Sequence, residues 1–145
     1  MKRILIGLIL LLNMVLVGCN NNDVNSTNKN AQVVSKIKVL PAKDVDEFLK
    51  RPNIGIIDAR TKAEYESGTL DERAIFMEVQ KGPKAKESIA NLDGELEKLD
   101  KNKSWLVYCG KGPRSMGLAE EMEKLGFKDV SIVEGGILGY REYKK

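Results

Sequence analysis

Beyond about residue 33, the apolar positions of this chain fall into short blocks that fit strands and helices in turn. Several blocks are apolar throughout, as expected for parallel strands that are covered on both faces of a sheet. Strands are predicted at residues 37–40, 54–57, 74–76, 105–108 and 130–133.

Helix patterns separate these strands. Pro41 suits the first turn of a helix, and Thr61 with Glu64 forms a capping-box pattern that predicts a short helix ended by Gly68. Longer helices are predicted at residues 89–99, 115–125 and 137–143. Alternating strands and helices predict an α/β fold of three layers, a parallel sheet with helices on both faces. Ligands of such folds bind at the carboxyl ends of the strands.

The first residues have the pattern of an export signal. Lys2 and Arg3 precede an apolar run that is short for a membrane span, and residues 16–19 read Leu-Val-Gly-Cys. That ending resembles a bacterial lipobox, which implies cleavage before Cys19 and lipidation of its sulfur. The alternative is an ordinary signal peptide with an incidental cysteine.

These features divide the chain into three parts. We expect a lipoprotein signal peptide at residues 1–18, the lipidated Cys19 with an Asn-rich flexible tether at 19–35, and one domain at 36–145. The domain would then be exported and lipid-anchored to the outer face of the bacterial cell membrane, or lie in the periplasm. The membrane is therefore an expected partner, through Cys19.

Composition narrows the chemistry. The net charge is +3, the lysines are scattered, and the sequence has no basic stripe with interleaved aromatic residues. Binding to nucleic acid is therefore not expected. The chain has no histidine and two cysteines, Cys19 and Cys109, so no ligand set for a structural zinc site is present and no metal or cofactor is expected. If Cys19 carries lipid, Cys109 is the one thiol left, and its activation must proceed without histidine.

Cys109 ends a predicted strand and is followed by a short Gly-rich loop and a helix. Glycines permit turns that point successive N–H groups inward, and a helix N-terminus adds partial positive charge. Lys111 and Arg114 add full charges. All of these effects stabilise a thiolate and lower the pKa of the cysteine. The predicted site consists of Cys109, Gly110, Lys111, Gly112, Pro113, Arg114 and Ser115.

The pattern Cys-x-x-Gly-x-Arg-Ser at residues 109–115 resembles the active-site loop of rhodanese-family sulfurtransferases. Residues 58–68 and 126–137 resemble two further motifs of that family. The resemblance implies a rhodanese-like fold and a persulfide on Cys109, formed from a small sulfur-containing anion and passed to a thiol or cyanide acceptor. It also implies that Arg114 and Lys111 hold the donor and that Asp58 and Arg60 support the loop.

Two other functions stay open. Dual-specificity phosphatases and some arsenate reductases share the fold and have five residues between Cys and Arg, whereas this chain has four between Cys109 and Arg114. The shorter loop favours a single sulfur atom over a phosphate. The second alternative is a membrane-tethered binding or persulfide-carrier module without turnover. The order of preference is sulfur transfer, the carrier module and then the phosphatase.

Overall fold

The computed structural model describes residues 36–145. The predicted signal peptide, Cys19 and the tether lie outside the described residues and stay predictions, as do the predicted domain boundaries. Among residues 36–145, no helix is long and apolar enough to cross a membrane.

Five parallel strands form one sheet in the described part of the chain, in the order β1-β5-β4-β2-β3. Its three central strands are the apolar runs of the sequence, each extended by one residue. The strands are β1 (Lys38–Leu40), β2 (Ile54–Asp58), β3 (Ile75–Phe76), β4 (Ser104–Tyr108) and β5 (Asp129–Val133). The predicted class, an α/β fold with a parallel sheet, is confirmed.

Helices cover both faces of the sheet, which completes the predicted three layers. On one face, the helix residues Val45, Phe48 and Ile137 pack against β2, β4 and β5. On the other, the helix residues Leu96 and Met122 belong to the larger apolar cluster. The helices are α1 (Ala42–Leu49), α2 (Lys62–Glu66), α3 (Ala85–Ala90), α4 (Asp93–Leu96), α5 (Pro113–Lys124) and α6 (Gly136–Tyr143).

One predicted helix is wrong in its extent. The single helix expected at residues 89–99 is two short helices, α3 and α4, and the first begins earlier, directly after a 3-10 turn at Gly82–Lys84. The break falls at Asn91 and Leu92, and the low helix propensity of Asn91 favours it. Pro83 sits early in the 3-10 turn, where its fixed φ favours the start of a helical segment.

The helix after the cysteine also begins earlier than predicted. It starts at Pro113 and not at Ser115, because proline is well suited to the first helical position. The loop between β4 and α5 is therefore only residues 109–112, and Arg114 lies in the first turn of α5. The carboxyl ends of β2 and β4 meet at the same edge of the sheet, where Asp58 pairs in register with Tyr108.

Candidate active site

Cys109 follows β4 directly and is buried, with 1 % of its surface exposed. Its Sγ accepts a hydrogen bond from the N–H of Gly112 at 3.1 Å. The hydroxyl of Ser115 lies 3.6 Å from the same Sγ. Gly112 has a φ of +120°, a conformation that favours glycine, and this turn brings its N–H toward the sulfur. The predicted cysteine, the glycine and the serine are thus brought together.

The surroundings of Cys109 favour the thiolate. Burial raises the pKa of the thiol, but the backbone N–H groups of Ser115, Gly112 and Lys111 and the hydroxyl of Ser115 lower it more. The net pKa is therefore below the ordinary value of a cysteine. Because hydrogen bonds to the charged form stabilise it, the loop activates the thiol without histidine.

The carbonyl groups of the loop are held by α6. The N–H of Ile137 donates to the carbonyl of Cys109 at 2.8 Å, and the N–H of Leu138 donates to that of Gly110 at 3.1 Å. A Cβ at Gly136 would lie 2.5 Å from both of these carbonyl oxygens. Only glycine permits this approach, so the Gly-Gly-Ile segment of the sequence fixes the orientation of the loop.

Arg114 is held by Glu64, the residue that also completes the capping box of α2. Its two terminal nitrogens donate to the two carboxylate oxygens of Glu64 at 2.9 and 3.1 Å. One of them also lies 3.4 Å from the carbonyl oxygen of Val79. Burial raises the pKa of Glu64, but hydrogen bonds from Arg114 and Thr61 lower it more, to about 2. Glu64 is therefore ionised and balances the charge of Arg114.

A cavity of about 400 Å³ opens beside Cys109. Its volume lies within the range of small-molecule sites. Lys111 and Arg114, which the resemblance implied would hold the donor, line this cavity. The sequence did not indicate that Lys81 and Leu138 also line it. Its walls include Glu64, Lys81, Cys109, Lys111, Arg114 and Leu138.

Asp58 and Arg60 lie in a buried network next to the loop, and neither is hydrogen-bonded to the sulfur of Cys109. Arg60 donates to the Asp58 carboxylate through Nε at 2.9 Å and a terminal nitrogen at 2.7 Å. The hydroxyl of Tyr108 donates to Asp58 at 2.7 Å. Tyr108 precedes Cys109 and accepts the N–H of Leu70 at 3.0 Å. The network thus fixes the residue before the nucleophile.

The sequence and fold agree with known proteins. A protein-family sequence model, that of the rhodanese-like domain, matches residues 41–143, which are most of the chain. The chain belongs to the rhodanese-like family. A thiosulfate sulfurtransferase GlpE of Coxiella burnetii is 33 % identical over 90 residues, which cover 62 % of this chain and 74 % of that protein.

A further relative carries a different name, and a solved structure shares the fold. A tRNA uridine(34) hydroxylase of Wigglesworthia glossinidia brevipalpis is 30 % identical over 106 residues, 73 % of this chain but 32 % of that protein. A rhodanese-related protein from Thermoplasma volcanium superposes with a TM-score of 0.58 at 25 % identity, covering 73 % of this chain and 92 % of that one. The family is therefore shown, while the reaction depends on the site.

Proposed function

We propose that this rhodanese-like protein is a sulfurtransferase in which Cys109 carries sulfur from an anionic donor such as thiosulfate to a thiol or cyanide. The observation that carries the proposal is the Cys109 thiol, whose pKa is lowered by N–H donors at the edge of an open cavity. A thiolate is the form that attacks a sulfane sulfur. The GlpE relative, named a thiosulfate sulfurtransferase, supports the same reaction class.

Two displacements make up the reaction. The Cys109 thiolate attacks the outer sulfur of thiosulfate, the S–S bond of the donor breaks, and sulfite leaves with the electron pair. The terminal persulfide sulfur is then attacked by an acceptor thiolate or cyanide, and the Cys109 thiolate is regenerated. The inward N–H groups of Gly112 and Ser115 stabilise the anionic sulfur before and after each step.

Intact mass after incubation with thiosulfate tests this proposal on the full chain. We expect the mass of one added sulfur atom, removed again by cyanide or dithiothreitol. Cys109→Ser should show no gain, whereas Cys19→Ala should gain the sulfur as the parent does. Hydrolysis of an aryl phosphate without persulfide formation would replace the proposal with the phosphatase alternative. If neither activity is observed, the binding-module alternative remains.

We further propose that Cys19 is lipidated and that the domain is held at the outer face of a bacterial membrane. The support is the apolar run followed by Leu-Val-Gly-Cys at residues 16–19 and the Asn-rich stretch after it. In a bacterial host the protein should fractionate with membranes and incorporate a fatty-acid analogue. Incorporation that persists in Cys19→Ala would show that the anchor is assigned to the wrong residue.

A further inference from the structure

The cavity beside Cys109 carries more positive than negative charge. Lys81, Lys111 and Arg114 line it, and Glu64 is the one carboxylate among the residues named for its walls. Both oxygens of Glu64 are taken by Arg114 at 2.9 and 3.1 Å, so this pair is neutral as a unit. The remaining lysines, Lys81 and Lys111, leave the wall of the cavity with two further positive charges.

Arg114 is poorly placed to turn toward a ligand. Its side chain is only 11 % exposed, and its guanidinium is fixed by a fork-like pair with Glu64. Lys81 differs, because its side chain is 64 % exposed and its ammonium lies 3.4 Å from a Glu64 oxygen that Arg114 already occupies. A lysine in this position can move from Glu64 to an anion in the cavity at low cost.

The backbone that carries Lys81 is well anchored. Val79 is fully buried, and the N–H of Gln80 donates to the hydroxyl of Ser88 at 3.0 Å. The 3-10 turn at Gly82–Lys84 begins directly after Lys81. The side chain of Lys81 therefore starts from a fixed point at the edge of the cavity, and its ammonium is held only by an exposed ion pair, an arrangement that suits electrostatic capture of a small anion.

We propose that Lys81, together with Lys111, binds the anionic end of the sulfur donor and so determines preference for small dianions such as thiosulfate. The inference rests on the proposed sulfur transfer. The sulfonate of the donor lies between the two ammonium groups while its outer sulfur reaches Cys109. When the S–S bond breaks, the same lysines hold the sulfite that leaves with both electrons. Arg114 then serves to shape the wall of the cavity.

Binding and turnover are measured separately to test this role. In the full chain with Cys109→Ser, thiosulfate is titrated while the amide NMR signals of Lys111 and Gly112 are followed. Adding Lys81→Met should raise the dissociation constant about fivefold, the upper end of what an exposed ion pair contributes. Lys81→Arg should restore most of the affinity. The matched control is Lys84→Met, which removes the same charge from a residue that faces a different cavity.

With Cys109 intact, Lys81→Met should raise KM for thiosulfate about fivefold and leave kcat within about twofold, because the ammonium binds the sulfonate end of the donor and does not touch the reacting sulfur. Unchanged binding in Lys81→Met, equal losses in Lys84→Met, or no thiosulfate binding to the Cys109→Ser protein would each overturn the assignment. Lys81-dependent binding without persulfide formation would sink the proposed sulfur transfer while leaving the anion site. Persulfide formation that is unchanged in Lys81→Met would overturn the assignment of Lys81 and leave the proposed sulfur transfer standing.

Discussion

Replacing Gly136 with alanine should destabilise the domain and displace the loop that holds Cys109. Gly136 has a φ of +63°, and an added Cβ would lie 2.5 Å from the carbonyl oxygens of Cys109 and Gly110. Such an approach is shorter than any normal contact, so either α6 or the loop must move. The movement stretches the hydrogen bonds from Ile137 and Leu138 that fix those carbonyls.

The magnitude has two parts. A left-handed backbone costs a residue with a Cβ about 1–2 kcal/mol, and forcing extra volume into a packed site costs about 1–3 kcal/mol more. Gly82 supplies the matched control, since its φ is +66° and a Cβ there would meet nothing within 4 Å. Gly82→Ala should therefore show the first part alone, and Gly136→Ala the sum of about 2–5 kcal/mol.

Urea denaturation measures the free energy of unfolding of each variant, and the pH dependence of iodoacetamide alkylation reports the ionisation of the Cys109 thiol. In Gly136→Ala the alkylation midpoint should move to higher pH, because displaced N–H donors no longer hold the pKa of Cys109 below its ordinary value. If Gly136→Ala unfolds at the same urea concentration as Gly82→Ala, the close approach of α6 to the loop is not what fixes the site.

Three further substitutions test single hydrogen bonds. Ser115→Ala should raise the pKa of Cys109, seen as an alkylation profile shifted to higher pH; an unshifted profile would remove the hydroxyl from the site. Tyr108→Phe should lower the free energy of unfolding by about 1–3 kcal/mol, because a buried donor to Asp58 is lost. A smaller decrease in urea denaturation would show that this hydrogen bond is dispensable. Thr61→Ala should cost about 1 kcal/mol through its lost cap, with Lys62→Ala as the denaturation control.

The strands could be predicted from the sequence because their signal is local. Residues 54–57 and 105–108 are apolar runs, residues 130–133 are apolar except for Ser131, and such strands need both faces covered. The structure extends each of the three by only one residue. The extent of the helix predicted at residues 89–99 was wrong, because its apolar spacing continues without interruption across Asn91 and Gly94. The hydrophobic pattern therefore does not indicate that this segment forms two helices.

The nucleophile was also evident from local sequence, whereas the partners of the site were not. Cys109 and its glycines are adjacent in the chain, so a strand, a turn and a helix were enough to find them. The pair of Arg114 with Glu64 joins residues 50 positions apart, and a lysine such as Lys81 has no local pattern at all. The capping-box pattern identified Glu64 as a helix-start residue but gave no indication of this second contact.

The order of residues in the chain sets the order in which the thiol becomes reactive. Cys109 is synthesised well before residues 136–138, whose backbone fixes the carbonyls of its loop. Domains fold as units once enough of the chain has been made. A nascent chain that ends short of residue 136 therefore carries an ordinary cysteine, with its pKa in the unperturbed range and little thiolate at neutral pH. A stabilised thiolate therefore forms only once residues 136–138 have been made and the domain folds.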